Sequence, residues 1–189
     1  NQEEQFFFFF PYPMNATVGE GTFVFTSKTV IALEDEKVEP VAKEFAQLFM
    51  KAAGFMPKLK VKSKKGDIYI RIDEAVKVEG YVLDVKPDKI TISVASEKGA
   101  FYALQTLRQL LPSAIEGETK SEGVTWSIPV LSITDEPRFS YRGLMVDVAR
   151  FFIPKAQLLR IIDTMGMLKL NKLHLHLTDD SGWRLEIKK

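Results

Sequence analysis

Hydrophobic and polar positions alternate along this chain with two different periods, and the places where the period changes mark its elements. From about residue 22 to 33 β-branched and aromatic residues dominate, after a Gly19-Glu20-Gly21 stretch that reads as a turn, so a strand is expected there. Val41, Phe45, Leu48, Phe49 and Ala52 then recur at helical spacing, and Gly54 supplies a stop. Leu59 and Val61 alternate with lysines, Lys65-Gly66-Asp67 reads as a turn, and Ile68, Ile70 and Ile72 return as a hairpin partner. A further hairpin follows, with Tyr81, Leu83 and Val85 on one face, a turn at Pro87-Asp88-Lys89, and Ile90, Ile92 and Val94 coming back.

One-sided alternation of this kind means a sheet with one buried face. Ala100, Leu104, Leu107 and Leu111 form a second helical stripe, ended by Pro112. Two amphipathic helices suffice to cover one face of the sheet. The expected first domain, residues 1–135, is therefore α+β: an antiparallel or mixed sheet with two helices on one face. A polar loop at residues 112–124 and a last strand near Trp126–Thr134 lead to Asp135-Glu136-Pro137, where the domain boundary is placed.

Beyond it, residues 136–189, the pattern changes. Leu144-Met145-Val146 is a continuous apolar run, as in a strand buried on both faces. Pro154 opens a helix with Leu158, Ile161, Ile162, Met165 and Leu168 on its inner side, and Lys172–Leu177 is the next strand. This is one right-handed βαβ unit, the way a TIM (β/α)8 barrel begins, although a whole barrel needs roughly 250 residues.

Composition narrows the chemistry. The net charge is +1, so bulk attraction to nucleic acid or to anionic membrane is not implied. The lysines at 58, 60, 62, 64 and 65 read as the solvated face of a strand, without the interleaved aromatics that stack bases. The absence of cysteine excludes disulfides, thiolate catalysis and Cys-ligated zinc. No run is long enough to span a bilayer. The Phe6–Phe10 run, followed by Pro11 and Pro13, is expected to form a buried or edge strand.

Two segments carry the chemistry: Arg142-Gly143-Leu144-Met145-Val146-Asp147-Val148-Ala149-Arg150 and His174-Leu175-His176-Leu177-Thr178-Asp179-Asp180-Ser181-Gly182-Trp183-Arg184. Together with their spacing they resemble the start of the catalytic barrel of glycoside hydrolase family 20, the β-N-acetylhexosaminidases. Gly99–Leu107 and Asp135-Glu136-Pro137-Arg138-Phe139 are similar to the end of that family's N-terminal α+β domain and its junction with the barrel.

The resemblance implies an exo-acting enzyme that removes terminal GlcNAc or GalNAc from glycans, without a cofactor. The implied mechanism is retaining and substrate-assisted, the 2-acetamido oxygen being the nucleophile. The family's Asp-Glu pair, which orients the acetamido group and protonates the leaving oxygen, has no counterpart in this chain. The resemblance thus implies an N-terminal fragment that is inactive alone and carries supporting residues only. Arg150 matches the arginine that grips hydroxyls of the terminal sugar, and Asp179 an aspartate that supports a later histidine beside the acid. Many members have His where Phe151 stands, and Gln where Ser181 stands. The family also implies a secreted or periplasmic protein.

His176, Asp180 and Trp183 are further candidates for the shell of the site. On spacing alone Arg150 reads equally as an ion-pair partner of Asp147 or Asp179, Asp179 as a helix cap or surface carboxylate, and Trp183 as core. His174 and His176 share a strand face. Either they are hydrogen-bonded interior histidines or, in a metal-dependent barrel hydrolase, ligands, though two histidines leave few further nitrogen ligands and no metal site is expected. A non-catalytic glycan-binding or assembly module is the other alternative. Gly143 and Gly182 read as backbone requirements. An open piece of barrel leaves strand edges and apolar faces uncovered, so self-association or partial disorder of that segment is expected.

Overall fold

A computed structural model of the chain describes residues 9–188. They divide into two compact units, the first ending at Pro137 and the second beginning at Arg138.

The first unit contains β1 (Asn15–Val24), β2 (Val30–Leu33), α1 (Glu39–Ala53), β3 (Lys58–Val61), β4 (Ile68–Ile72), β5 (Tyr81–Val85), β6 (Ile90–Val94), α2 (Glu97–Leu110) and β7 (Ser127–Asp135). The strands form one mixed sheet in the order β1-β7-β5-β6-β4-β2-β3. The β1–β7, β7–β5 and β5–β6 pairs are antiparallel, and β6, β4, β2 and β3 run parallel. Register explains the burial. Ile70 faces Ile92, which faces Leu83, which faces Ile133, and all four are buried in one cluster with Phe45 and Phe49 of α1 and Leu104 and Leu107 of α2. The alternate positions Arg71, Ser132 and Thr134 on the opposite face are exposed. One face under two helices is thus what the alternation demands.

Gly54 ends α1 at φ 75°, a left-handed position that suits glycine. Ser96 caps α2 by accepting the N–H of Lys98. Phe49 stacks on Phe25 and Phe55 and meets Phe45 and Trp126 edge-on, which makes it the centre of the aromatic core.

Three expectations need correction. The segments at 58–61 and 68–72 do not form a hairpin: β3 and β4 flank β2, each parallel to it. α1 carries the chain from β2 over to β3, and alternation alone does not distinguish parallel from antiparallel partners. Gly19-Glu20-Gly21 is not a turn before a strand. It lies inside β1 at a break in register between Val18 and Thr22, where Gly21 takes φ 97°. Residues 22–33 are split by the turn at Thr26–Thr29, where the Thr29 N–H donates to the Thr26 carbonyl, and β1 and β2 stand far apart in the sheet.

The lysine series lies on and after β3, an edge of the sheet, with its side chains exposed. Charge at an edge discourages pairing with another chain. Of the phenylalanine run, Phe6–Phe8 lie outside the described residues. Phe9 is half-buried against the core and Phe10 is exposed, in no strand, with its N–H donated to Gln109 Oε1 and its carbonyl accepting from Gln109 Nε2.

The second unit contains β8 (Gly143–Asp147), α3 (Lys155–Met167), β9 (Lys172–His176), and a small turn made by β10 (Thr178–Asp179) and β11 (Gly182–Trp183). β8 and β9 are parallel neighbours, joined through α3. Arg142 ties their starts together: its N–H donates to Asn171 Oδ1 and its guanidinium to the carbonyls of Lys169 and Phe139. β8 is not buried on both faces, contrary to its apolar run. Val146 is buried, whereas Met145 is 54% exposed. Leu144 lines a groove with Ile161 and Met165 of α3 and with Leu168 just after it, so the helix lies on the leucine face and the Met145–His174 face is open. Among the described residues, β8 pairs with β9 only.

Candidate functional site

The polar residues of the second unit converge where β8 and β9 end. Register places Asp147 directly opposite His176, the last residue of each strand. In a parallel pair this is the carboxyl end, the side at which α/β sheets hold their ligands. After Asp147 the chain turns, and the turn is capped by that residue: its Oδ1 accepts the N–H groups of Ala149 at 3.1 Å and Arg150 at 3.0 Å.

Arg150 leans back across the strand ends. Its Nη1 lies 3.1 Å from Asp147 Oδ2 and its Nη2 lies 3.0 Å from Asp179 Oδ2. Both ion pairs that spacing suggested are therefore present together, in a side chain that is still 62% exposed. A guanidinium has five N–H donors. The described contacts of Arg150 use one on each terminal nitrogen, which leaves donors for a ligand. His176 lies between the carboxylates, Nδ1 3.6 Å from Asp147 Oδ2 and Nε2 3.2 Å from Asp179 Oδ2, with Nε2 also 3.0 Å from the Thr178 carbonyl.

The electrostatics follow from these contacts. Asp147 is held below the usual carboxylate range, first by the N–H of Arg150, then by the charges of His176 and Arg150. Asp179 is lowered as well, first by hydrogen bonding from Asp180, then by Arg150 and His176. Both carboxylates therefore stay charged beside the guanidinium, whose remaining donors suit vicinal hydroxyls or another acceptor pair.

The β10–β11 turn is held against the β8–α3 loop by Arg184, whose Nε donates to the Val148 carbonyl at 2.9 Å and Nη2 to the Ala149 carbonyl at 3.1 Å, while its guanidinium lies over the Phe152 ring. Gly182 is a backbone requirement: a Cβ there would sit 2.4 Å from the Ala149 carbonyl oxygen. At Gly143 the nearest atoms to an added Cβ belong to the exposed Tyr141 ring, the far end of a side chain that can swing away.

Of the residues expected in the site, Arg150, Asp179 and His176 come together. Asp180 is exposed at the turn and donates its N–H to Asp179 Oδ1. Trp183 is 59% exposed on β11 and is not core. His174 is exposed on the same strand face as His176, two residues before the cluster and opposite Met145. Phe151, beside Arg150, is 82% exposed. Asp147 and Arg184 are the residues that sequence reasoning underrated. A carboxylate at a strand tip reads as a plain cap, and Arg184 gives a signal only through its place after Gly182. Among the described residues no group of three or more His, Asp or Glu is placed to hold a metal ion, and no helix is long and apolar enough to cross a membrane.

Comparison with known proteins covers both units. Residues 8–136 match the model of glycosyl hydrolase family 20, domain 2, and residues 139–189 that family's catalytic domain. A β-hexosaminidase of Porphyromonas gingivalis is 38% identical over 183 residues, which are 95% of this chain and 23% of that protein. N,N'-diacetylchitobiase of Vibrio harveyi is 48% identical over 114 residues, 60% of this chain and 12% of that protein. Among solved structures, the N-acetyl-β-hexosaminidase of Streptomyces plicatus superposes with a TM-score of 0.84 at 34% identity, covering 93% of this chain and 35% of that one. The exo-β-N-acetylglucosaminidase of V. harveyi, in complex with N-acetylglucosamine, superposes with a TM-score of 0.81 at 32% identity, covering 95% and 27%. The chain thus spans about a quarter of the P. gingivalis protein's length and about a third of the S. plicatus chain.

Proposed function

The chain belongs to glycosyl hydrolase family 20, and from that premise we propose that it is the N-terminal part of an exo-acting β-N-acetylhexosaminidase whose second unit begins a (β/α)8 barrel. The observation that carries this reading is Arg150: an exposed guanidinium, clamped by two carboxylates at the carboxyl ends of parallel strands, with donors left over. In this proposal those donors grip adjacent hydroxyls of a terminal N-acetylhexosamine, Asp179 supports the neighbouring acid group, and Trp183 adds wall.

The proposed chemistry is retaining and substrate-assisted, with the acetamido oxygen attacking the anomeric carbon. The Asp that orients it and the Glu that protonates the leaving oxygen would lie outside these 189 residues, so the chain supplies binding and orientation alone. Support comes from the family match of both units and from the N-acetylglucosamine held by the V. harveyi relative. The α+β unit would serve as accessory domain, and a secreted or periplasmic location follows from the family reading.

The test is hydrolysis of a chromogenic N-acetyl-β-glucosaminide by the 189-residue chain and by the full reading frame in which this sequence occurs, each checked by intact mass. Turnover by the full frame alone is expected. Turnover by the isolated chain refutes the assignment of the chemistry to residues outside it, and glycan binding without turnover in either form favours a non-catalytic module.

A further inference from the structure

Asp147 is bound to both the backbone and the side chain of Arg150. One oxygen accepts the N–H groups of Ala149 and Arg150, and the other accepts Arg150 Nη1. A single carboxylate therefore sets where the chain turns and where the guanidinium points. Asp179 differs, because it meets Arg150 only side chain to side chain, at 3.0 Å. The separation of the two carboxylates is itself constrained. Asp147 is fixed opposite His176 by strand register, and the imidazole ring spans from one carboxylate to the other, 3.6 Å and 3.2 Å away. An aspartate that merely capped the turn would need only its first oxygen.

We propose that Asp147 is the positioning residue of this site, pre-setting Arg150 before ligand arrives, and that His176 keeps Asp147 and Asp179 at a separation one guanidinium can bridge. The ligand part of this proposal rests on the sugar-binding reading of Arg150. The structural part does not. Arginine reaches its partners on a long flexible stem, and one already held loses less freedom on binding.

The experiment is ¹⁵N relaxation of Arg150 Nε in the 189-residue chain, read beside the backbone amide shifts of Ala149 and Arg150. Asp147→Asn keeps an oxygen for the two N–H groups and replaces the charged acceptor in front of Nη1 with an amide. The expected result is nearly unchanged amide shifts with an Nε order parameter falling from rigid, roughly 0.85, to mobile, below about 0.6. Asp147→Ala should shift the amides as well, and His176→Ala should loosen Nε while sparing them. An Nε as ordered in Asp147→Asn as in the parent overturns the proposal, and so does an Nε already mobile in the parent, which needs no variant to fold. Adding N-acetylglucosamine separates the two readings. Loss of order in Asp147→Asn without any response of the parent to sugar supports the positioning role and sinks the sugar reading. A sugar response equal in parent and Asp147→Asn overturns the positioning role and leaves the sugar reading intact.

Discussion

Substituting Gly182 by alanine tests how tightly the site depends on the β10–β11 turn. The new Cβ would lie 2.4 Å from the Ala149 carbonyl oxygen, whereas carbon and carbonyl oxygen rest at about 3.3 Å. The obstacle is backbone on one side and backbone-anchored on the other, so the turn must retreat from the β8–α3 loop by about 0.9 Å, the shortfall from that contact distance. Arg184 then loses its reach to Val148 and Ala149, now 2.9 Å and 3.1 Å. Asp179 moves with the turn, and its 3.0 Å contact to Arg150 stretches to nearly 4 Å, roughly the limit of an ion pair. Asp147 stays, because it sits on the same side of the gap as Arg150. The variant should therefore shift the amide signals of residues 178–184 and sever Asp179 from Arg150, while Ala149 and Arg150 keep their bonds to Asp147. A misplacement of about 1 Å in a positioned group can cost on the order of a hundredfold in rate. That is the loss of kcat/KM expected for the full reading frame on a chromogenic N-acetyl-β-glucosaminide. Activity within about twofold of the parent, with the turn signals unmoved, would refute the reasoning.

Other outcomes follow from the same geometry. Phe49→Ala removes the hub of the aromatic core and should cost about 3–5 kcal/mol in urea unfolding of the first unit; a loss below about 1 kcal/mol would mean the core is not packed as described. Asp147 and Asp179 are lowered from the ordinary aspartate value of 3.8, so their hold on Arg150 should be complete above it and fade only as pH falls further below it. Carboxyl ¹³C shifts followed with pH check this, and either group titrating above 3.8 contradicts it. Met145, Phe151, Leu159 and Ile187 are exposed apolar side chains of the second unit, so the isolated chain should self-associate with rising concentration in sedimentation velocity. A single monomeric boundary at all concentrations would count against that.

Elements with their own internal period are legible in the amino-acid sequence. The helical stripes of α1 and α2 and the alternation in β4, β5 and β6 recur as expected, whereas the expected inner side of α3 holds only in part, with Met165 buried but Ile162 44% exposed. Pairing is not legible there, because β3 and β4 show the same alternation whether they face each other or flank β2. The break inside β1 is hidden too, since Gly19-Glu20-Gly21 serves a turn and a bulge equally well. Hydrophobicity overstates the burial of β8, because an apolar run reports what a strand tolerates rather than what covers Met145. In the site, the motif points to Arg150 and Asp179, but not to the carboxylate that orients Arg150. Asp147 gains that meaning only when register sets it opposite His176 and the turn brings Arg150 back over both.

The most direct test of the central claim is the kinetic effect of Arg150→Lys in the full reading frame, with the fold checked by amide shifts. Lysine keeps the charge but loses the fork of donors. If Arg150 grips hydroxyls of a terminal N-acetylhexosamine, kcat/KM on the chromogenic glucosaminide should fall by about tenfold or more, the loss of a charged hydrogen bond. An unchanged kcat/KM would contradict the account and leave Arg150 as a structural ion-pair partner of Asp147 and Asp179.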